Sequence, residues 1–193
     1  MTTHSASYLE ETARIAALID PEKVEEMARE LAALRDRGGR LFIIGLGGSA
    51  ANASHAVNDF RRLCQIEAYT PVDNVAELTA AMNDDGPHTI FSRTLVTSQL
   101  CKKDAVLVLS VGGGSVNVSP AISAVVPAMA HLGIPLFGIV GRDGGETAKS
   151  ASCCVIIPTV EPSRVTPHTE AFQSVVLHCL VSHPLLQRQP TKW

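Results

Sequence analysis

Aromatic and charged residues are scarce in this sequence. Of its 193 residues, 4% are aromatic and 18% are charged, whereas 46% are hydrophobic, so Ala, Val, Leu and Ile must supply most of the core. This composition excludes an intrinsically disordered chain, which has few apolar residues and a high net charge. The length suits one domain with a full-sized core, and we expect a single domain over residues 1–193.

Long apolar runs and clusters of basic residues are also missing. No run approaches the roughly 18–20 residues of a membrane span, and residues 1–20 lack the basic start and apolar stretch of a signal peptide. Lys and Arg number 16 against 19 Asp and Glu, and no basic patch offers a footprint for nucleic acid. We therefore expect a cytoplasmic protein that binds neither nucleic acid nor a membrane.

The cysteines do not form the pattern of a disulfide framework or of a zinc-binding motif. They number five, an odd count, and no C-x-x-C spacing occurs among them. Most lie inside apolar segments, which favours reduced, packed thiols over metal ligands or redox centres. The five are Cys64, Cys101, Cys153, Cys154 and Cys179.

The first 38 residues have the pattern of two helices. Apolar residues recur with a helical period from Tyr8 to Ile19 and again from Val24 to Leu34. Residues 20–21, Asp-Pro, are typical of a helix start, and the glycines at 38–39 permit a left-handed helix end. The pattern predicts a helical hairpin over residues 1–38 that covers a sheet or supplies a subunit interface.

From residue 39 onward, short apolar runs alternate with helical segments. Such runs are typical of strands buried on both faces, and the alternation predicts a doubly wound α/β fold with a parallel sheet of about five strands over residues 39–193. The predicted strands are 41–44, 105–109, 136–140 and 155–157, with a weaker one at 66–72 whose proline would place it at an edge. The predicted helices are 49–63, 74–82, 88–100, 116–132 and 166–183.

Two glycine-rich loops each follow a predicted strand and open a predicted helix. In parallel sheets ligands bind beyond the carboxyl ends of the strands, where glycine amides, serine hydroxyls and a helix N-terminus suit an anion such as phosphate. The alternative is that the glycines only make tight turns and the serines only cap helices, but two such loops favour phosphate. The candidates are Gly47, Gly48 and Ser49 in the first loop, and Ser110, Val111, Gly112, Gly113, Gly114 and Ser115 in the second.

Histidines and acids on two of the predicted helices are the candidate reactive groups. His55 and Asp59 are four residues apart, so they share one helical face and could hold a metal ion or transfer protons. The alternative is an ordinary solvated pair. In the last helix, Glu170 lies near the start and His178 lies within an apolar stretch, where a histidine taken alone is more often a core residue.

Taken together, these motifs resemble the sugar isomerase (SIS) domain, and within it the phosphoheptose isomerase group. The resemblance spans nearly the whole chain, including the two loops, the histidine at 55, the segments 83–84, 90–93 and 141–145, and the last helix. It implies a flavodoxin-like sheet and a homotetramer with active sites at subunit interfaces. It also implies aldose–ketose isomerisation of sedoheptulose 7-phosphate through an enediol intermediate.

The resemblance also implies roles for individual residues. Asp59 and His178 correspond to the proton-transfer pair, and a divalent metal, usually zinc, would be held by His55, Asp59, Glu170 and His178. Phosphate would be bound by Ser49 and by the second loop. Asp84 matches a position near the substrate, where it could equally form an Asx turn, and Glu170 would also face the substrate.

Several positions depart from the family pattern. The proton-transfer acid is Asp59 instead of Glu, which shortens its reach by about 1.5 Å. The first loop has Leu46 in place of Asn, and the second loop has lost two hydroxyls. Glu170 replaces a Gln, and the additional acid favours a divalent cation. These changes leave the precise sugar open.

The spacing of Glu170 and His178 raises the question of subunit sharing. Eight residues separate them, which is about 12 Å along one helix, whereas ligands of one metal lie within about 4 Å of each other. We therefore expect the two to come from different copies of the chain, with Asp59 facing a neighbour's His178. The rival to an enzyme is a non-catalytic SIS module that binds a sugar phosphate or a partner protein, as in a regulator of replication initiation.

Overall fold

Five parallel strands form one central sheet in the order β2-β1-β3-β4-β5. The computed structural model describes residues 3–191. The strands are β1 Leu41–Gly45, β2 Ala68–Tyr69, β3 Ala105–Ser110, β4 Leu136–Val140 and β5 Cys153–Ile156. The helices are α1 His4–Leu18, α2 Pro21–Asp36, α3 Gly48–Cys64, α4 Val75–Asp84, α5 Ile90–Thr97, α6 Pro120–Leu132, α7 Gly145–Ser150 and α8 Val165–Val181, with short 3₁₀ turns at Pro87–Thr89 and Pro162–Arg164.

Side chains of the central strands are buried on both faces of the sheet. In β1, Leu41 and Ile43 pack into the core under α2, α3 and α8, whereas Phe42 and Ile44 pack into the core under α5 and α6. Successive residues of a strand point to opposite faces, so a continuous apolar run serves both layers at once. The predicted doubly wound fold and the N-terminal pair of helices are confirmed.

The strand order reverses direction between β1 and β3, because β2 lies on the outer side of β1. Gly45 at the end of β1 is in register with Leu109 of β3, so the loops that follow these strands leave the sheet side by side. Doubly wound sheets bind ligands at such a switch point. The topology therefore brings together the two glycine-rich loops.

Several boundaries differ from those that the sequence predicts. Helix α6 begins at Pro120 instead of 116, because Ser119 has a left-handed backbone (φ +57°) and the proline occupies the first helical position. Helix α5 ends at Thr97, and Gln99 beyond it is left-handed (φ +53°). The six-residue helix α7 was not predicted, since one and a half turns show no periodicity. Strand β2 lies at the sheet edge, as its proline suggests.

All five cysteines are free thiols. Cys64 and Cys153 are buried, and burial raises the pKa of each thiol to about 12, which keeps both protonated and unreactive. Cys101 and Cys179 are exposed, so the expectation of packed thiols holds for only some of the five cysteines. Within residues 3–191, no helix is long and apolar enough to cross a membrane.

A carboxylate on α1 ties the N-terminal helices to α8. Glu11 accepts hydrogen bonds from the Arg164 guanidinium (Nε to Oε2, 2.8 Å) and lies 2.9 Å from Nε2 of His168, over which the Tyr8 ring stacks at a centroid distance of 4.3 Å. The bonds from Arg164, and then His168, lower the pKa of Glu11 to about 2. The ionised carboxylate is therefore the form that the fold stabilises.

We expect Glu11→Gln to lower the thermal midpoint at neutral pH, because it removes the charge that Arg164 and His168 bind. A folded-state pKa below the unfolded value of about 4.5 stabilises the fold above pH 4.5, and this contribution disappears as pH falls toward 2. The difference in Tm between variant and parent should therefore shrink over that interval in a calorimetric series. Glu10→Gln, at an exposed neighbouring position, is the control, and an equal Tm difference at pH 7 and pH 3 would contradict the assignment.

Candidate active site

The two glycine-rich loops at the switch point border a cavity of about 420 Å³. We call it the loop cavity, and we refer to residues 45–49 as the first loop, 110–115 as the second loop and 141–145 as the third loop. The predicted phosphate-binding residues that line it are Ser49, Ser110, Val111, Gly112, Gly114 and Ser115. A second set of predicted residues lies further along the packed helices α3 and α8.

The serine hydroxyls of the second loop are oriented by its own backbone. The Ser110 hydroxyl oxygen accepts a hydrogen bond from the Gly113 amide at 3.0 Å, and the Ser115 hydroxyl oxygen accepts one from the Val118 amide at 3.0 Å. A hydroxyl that accepts from an amide still has its hydrogen to donate. The Ser110 hydroxyl can therefore donate to an anion in the loop cavity, and the Ser115 hydroxyl can do so by giving up a long 3.5 Å contact with the Val118 carbonyl.

The second loop is held in place by α7. The Gly113 carbonyl accepts from the Thr147 amide (3.0 Å) and hydroxyl (2.7 Å). A Cβ on Gly113 would lie 1.8 Å from the Gly144 carbonyl oxygen, so only glycine permits this approach. In a trans peptide the next N–H points opposite to the carbonyl, so the Gly114 amide points away from α7. The loop is thus fixed before any ligand arrives.

Helices α3 and α8 are joined by a ladder of amide side chains. The Asn52 side-chain amide donates to the Glu170 carbonyl (2.9 Å) and to Oε1 of Gln173 (3.1 Å). Gln173 is fully buried and donates to the Ile139 carbonyl of β4 at 3.4 Å. Sequence reasoning missed Asn52 and Gln173. The available signal was that Asn52 is three residues before His55 and so shares its helical face.

His55, Asp59 and His178 converge where α3 and α8 meet. The Nε2 atoms of the two histidines lie 3.0 Å apart, and Oδ2 of Asp59 lies 3.2 Å from His55 Nε2 and 3.7 Å from His178 Nε2. The histidine side chains are 54% and 52% exposed, whereas that of Asp59 is only 10% exposed. Its Oδ1 accepts from the Asn58 side-chain amide at 2.9 Å. The cluster is therefore reachable from solvent and has a fixed carboxylate.

The donor set of this cluster fits a divalent cation. Ligand atoms at about 2.0–2.1 Å from a tetrahedral metal are about 3.3–3.4 Å from one another. The observed separations of 3.0, 3.2 and 3.7 Å surround that value. Two imidazoles and a carboxylate would leave the fourth position of a tetrahedral ion open, which is typical of catalytic sites.

The structure does not bring Glu170 to these donors. A Cβ on Gly48 would lie 2.5 Å from the Glu170 carboxylate carbon, which places that carboxylate beside the first turn of α3. Helix α8 runs from Val165 to Val181, so Glu170 and His178 are separated by about two turns of one helix. Among the described residues, three of the four predicted metal ligands lie together, namely His55, Asp59 and His178. The fourth, Glu170, lies nearer the first loop.

The expectation that Asp59 faces a His178 of a neighbouring subunit is wrong. The two side chains lie within 3.7 Å of each other in one chain. The sequence argument was correct that Glu170 and His178 cannot reach one point, but it kept Glu170 in the ligand set. Because α3 and α8 pack with the same direction, Gly48 contacts Glu170 and His55 contacts His178 within one molecule.

Five predicted residues lie outside the loop cavity and the cluster, and three of them, Glu170, Gly48 beside it and Gly113 against α7, are described above. Gly47 precedes α3 with a φ of +60°, where glycine is favoured, and does not line the loop cavity. Asp84 lies at the end of α4, where it accepts from the Asn83 side-chain amide at 2.9 Å and is 3.7 Å from Arg93. Its contacts are those of a local turn and an exposed ion pair.

Curated phosphoheptose isomerases are among the proteins similar to this chain. No protein-family model matches the chain. A curated phosphoheptose isomerase of Trichlorobacter lovleyi is 33% identical over 162 residues, covering 81% of this chain and 78% of the relative. One from Rhodospirillum rubrum is 32% identical over 162 residues, covering 81% of each chain. The solved phosphoheptose isomerase of Neisseria gonorrhoeae has the same fold, with a TM-score of 0.78, 21% identity, and coverage of 92% of this chain and 95% of that structure.

We expect the cluster to bind one divalent cation and His55→Ala to weaken that binding strongly. Losing an outer hydrogen-bond partner of a metal site already costs about 10–100-fold in affinity, so losing one of three ligands should cost more. Titration with Zn²⁺ and with Mn²⁺ against a competing chelator measures it. His131→Ala, at an exposed position on α6, is the matched control, and equal affinity in the His55 and His131 variants would rule out the cluster.

Proposed function

The chain belongs to the phosphoheptose isomerase family, and we propose that it interconverts sedoheptulose 7-phosphate and an aldoheptose 7-phosphate through an enediol intermediate. The product would be of the D-glycero-D-manno type. The observation that carries the proposal is the spacing, along α3, between an anion-binding cavity and a cluster of acid–base groups. Isomerisation of a sugar phosphate needs both the cavity and the cluster, and the distance between them determines which length of sugar chain fits.

That separation matches a seven-carbon sugar phosphate. Ser49 lines the loop cavity, and His55 and Asp59 follow six and ten residues later, which is about 9 and 15 Å along the helix axis. An extended heptose with C–C bonds of about 1.5 Å places C1 roughly 10 Å from a phosphate on C7. A phosphate in the loop cavity would therefore leave C1 and C2 within reach of the cluster, whereas a three-carbon chain would be too short.

The proton transfers are assigned to Asp59 and His178. Isomerisation removes a proton from C1 of the ketose, returns one to C2, and moves a proton between the two oxygens. The carboxylate of Asp59 is fixed by Asn58 and suits the carbon proton. Nε2 of His178 lies 3.7 Å from Oδ2 of Asp59, so the imidazole suits the proton transfer between the two neighbouring oxygens. Each group starts in the protonation state that it resumes at the end.

A divalent cation, zinc by family resemblance, would be held by His55, Asp59 and His178. Nε2 of His178 cannot bind a metal ion and carry a proton at the same time, so its proton transfer would apply to the site without the ion. When bound, the cation would polarise the carbonyl and lower the pKa of the neighbouring hydroxyl. Glu170 is assigned to the substrate instead, because its carboxylate lies beside Gly48, next to Ser49 of the loop cavity. A carboxylate at that point accepts hydrogen bonds from hydroxyls in the middle of the sugar chain.

The remaining properties follow the resemblance. We assign a single SIS domain over residues 1–193 and a homotetramer in the cytoplasm, where free thiols stay reduced. Self-association is supported by large apolar side chains that stay exposed in one chain, including Leu9 (67%), Val75 (69%) and Val96 (76%). The rival non-catalytic module would not require the ordered His–Asp–His cluster.

The purified protein is expected to interconvert sedoheptulose 7-phosphate and an aldoheptose 7-phosphate. Asp59→Asn and His178→Ala should each lower kcat by about 10²–10⁴-fold, since both groups carry general acid–base work. Coupled or NMR-detected turnover measures the loss, with His131→Ala as the control. Activity within a few-fold of the parent in either variant would remove that residue from the mechanism, and binding of the sugar phosphate without turnover would favour the non-catalytic module.

A further inference from the structure

Arg142 belongs to the third loop, which follows β4, and lines the loop cavity. The anion-binding groups described above are hydroxyls and amides, which carry no full positive charge. A phosphate on a sugar carries nearly two negative charges at neutral pH, and guanidinium groups bind such oxygens through paired N–H donors. A cationic side chain in the loop cavity would therefore bind the phosphate more strongly than these neutral groups.

Two cations and two acids line the loop cavity, and three of the four are already bound to the protein. Lys149 forms an ion pair with Glu146 at 2.9 Å, and a carboxylate oxygen of Asp143 accepts from the Gly145 amide at 3.2 Å. Among residues 3–191, the Arg142 guanidinium has neither a side-chain hydrogen bond nor an ion pair. It is the cation that an incoming phosphate can engage without breaking an existing contact.

The backbone at Arg142 is strained. Its φ is +53°, and it occupies the first central position of a turn closed by a 3.0 Å hydrogen bond from the Gly144 amide to the Gly141 carbonyl. A turn with positive φ at that position favours Gly, Asn or Asp. An arginine in this place costs folding free energy, and such outliers cluster at ligand-binding sites. Gln65, Gln99 and Ser119 also have positive φ, but each adjoins a helix end, whereas Arg142 lies in a loop that lines the cavity.

We propose that Arg142 binds the terminal phosphate of the substrate and sets the preference of the enzyme for phosphorylated over unphosphorylated sugars. The inference rests on the proposed function and adds a specificity-determining residue to it. The second loop supplies neutral donors and orients the phosphate, while Arg142 supplies the charge. The phosphate keeps its charge throughout the reaction, so we expect Arg142 to bind it equally in the ground state and the transition state, and loss of such a uniform contact raises KM and leaves kcat unchanged.

The test compares Arg142→Gln with the parent on sedoheptulose 7-phosphate and on sedoheptulose. The KM for the phosphate should rise by about 10–100-fold, as for the loss of a charge-assisted contact, while kcat stays within about three-fold. Turnover of sedoheptulose should not change, so the preference for the phosphate falls by the same factor. Arg14→Gln removes the same charge from an exposed position on α1 and should leave both substrates unaffected.

A second variant separates binding from folding. Glycine adopts a φ of +53° without strain, so Arg142→Gly should keep or raise the Tm while losing the same affinity. Arg142→Lys should recover part of the lost phosphate affinity. Calorimetric titration with inorganic phosphate gives a readout that does not depend on turnover. If the parent does not isomerise but binds phosphate with an affinity that Arg142→Gln loses, the proposed function fails and the assignment of Arg142 to the phosphate stands. If the phosphate affinity of Arg142→Gln equals that of the parent, the inference is wrong.

Discussion

The packing of α3 against α8 in the same direction is the contact on which the whole site depends. Asn52 and Gln173 hold it, and the Gln173 amide is fully buried, where an unpaired polar group would cost about 1–3 kcal/mol. Their hydrogen bonds fix the relative translation of the two helices. That translation places His55 beside His178 and Glu170 beside Gly48. The packing of these two helices therefore determines the position of the reactive cluster and of the Glu170 carboxylate.

The sheet topology supplies the other end of the site. Strand order reverses between β1 and β3, so the loops after these two strands leave the sheet together and α3 starts at the loop cavity. The helix then carries its polar face away from the sheet edge, from Asn52 to Asp59. A phosphate bound at the strand ends and a reaction at the cluster are therefore joined by one rigid element, which preserves their spacing.

Local features of the sequence were sufficient for most of the fold and for part of the site. Buried strands appear as continuous apolar runs, and His55 and Asp59 share a helical face because their spacing is one turn. The pairing of α3 with α8 involves residues more than a hundred positions apart, and no periodicity encodes it. For that reason His178 was assigned to the wrong chain and Glu170 to the metal, while Asn52 and Gln173 were missed.

The central claim is that Asp59 and His178 of one chain form one reactive unit. Chains carrying Asp59→Asn and chains carrying His178→Ala can be unfolded and refolded together in equal amounts, with mass spectrometry to verify that mixed oligomers form. A pair within one chain predicts that the mixture stays as inactive as either variant alone, because every chain carries one lesion. Recovery of roughly one quarter of the parent activity would contradict the account, since random mixing of a pair shared between chains restores that fraction of sites.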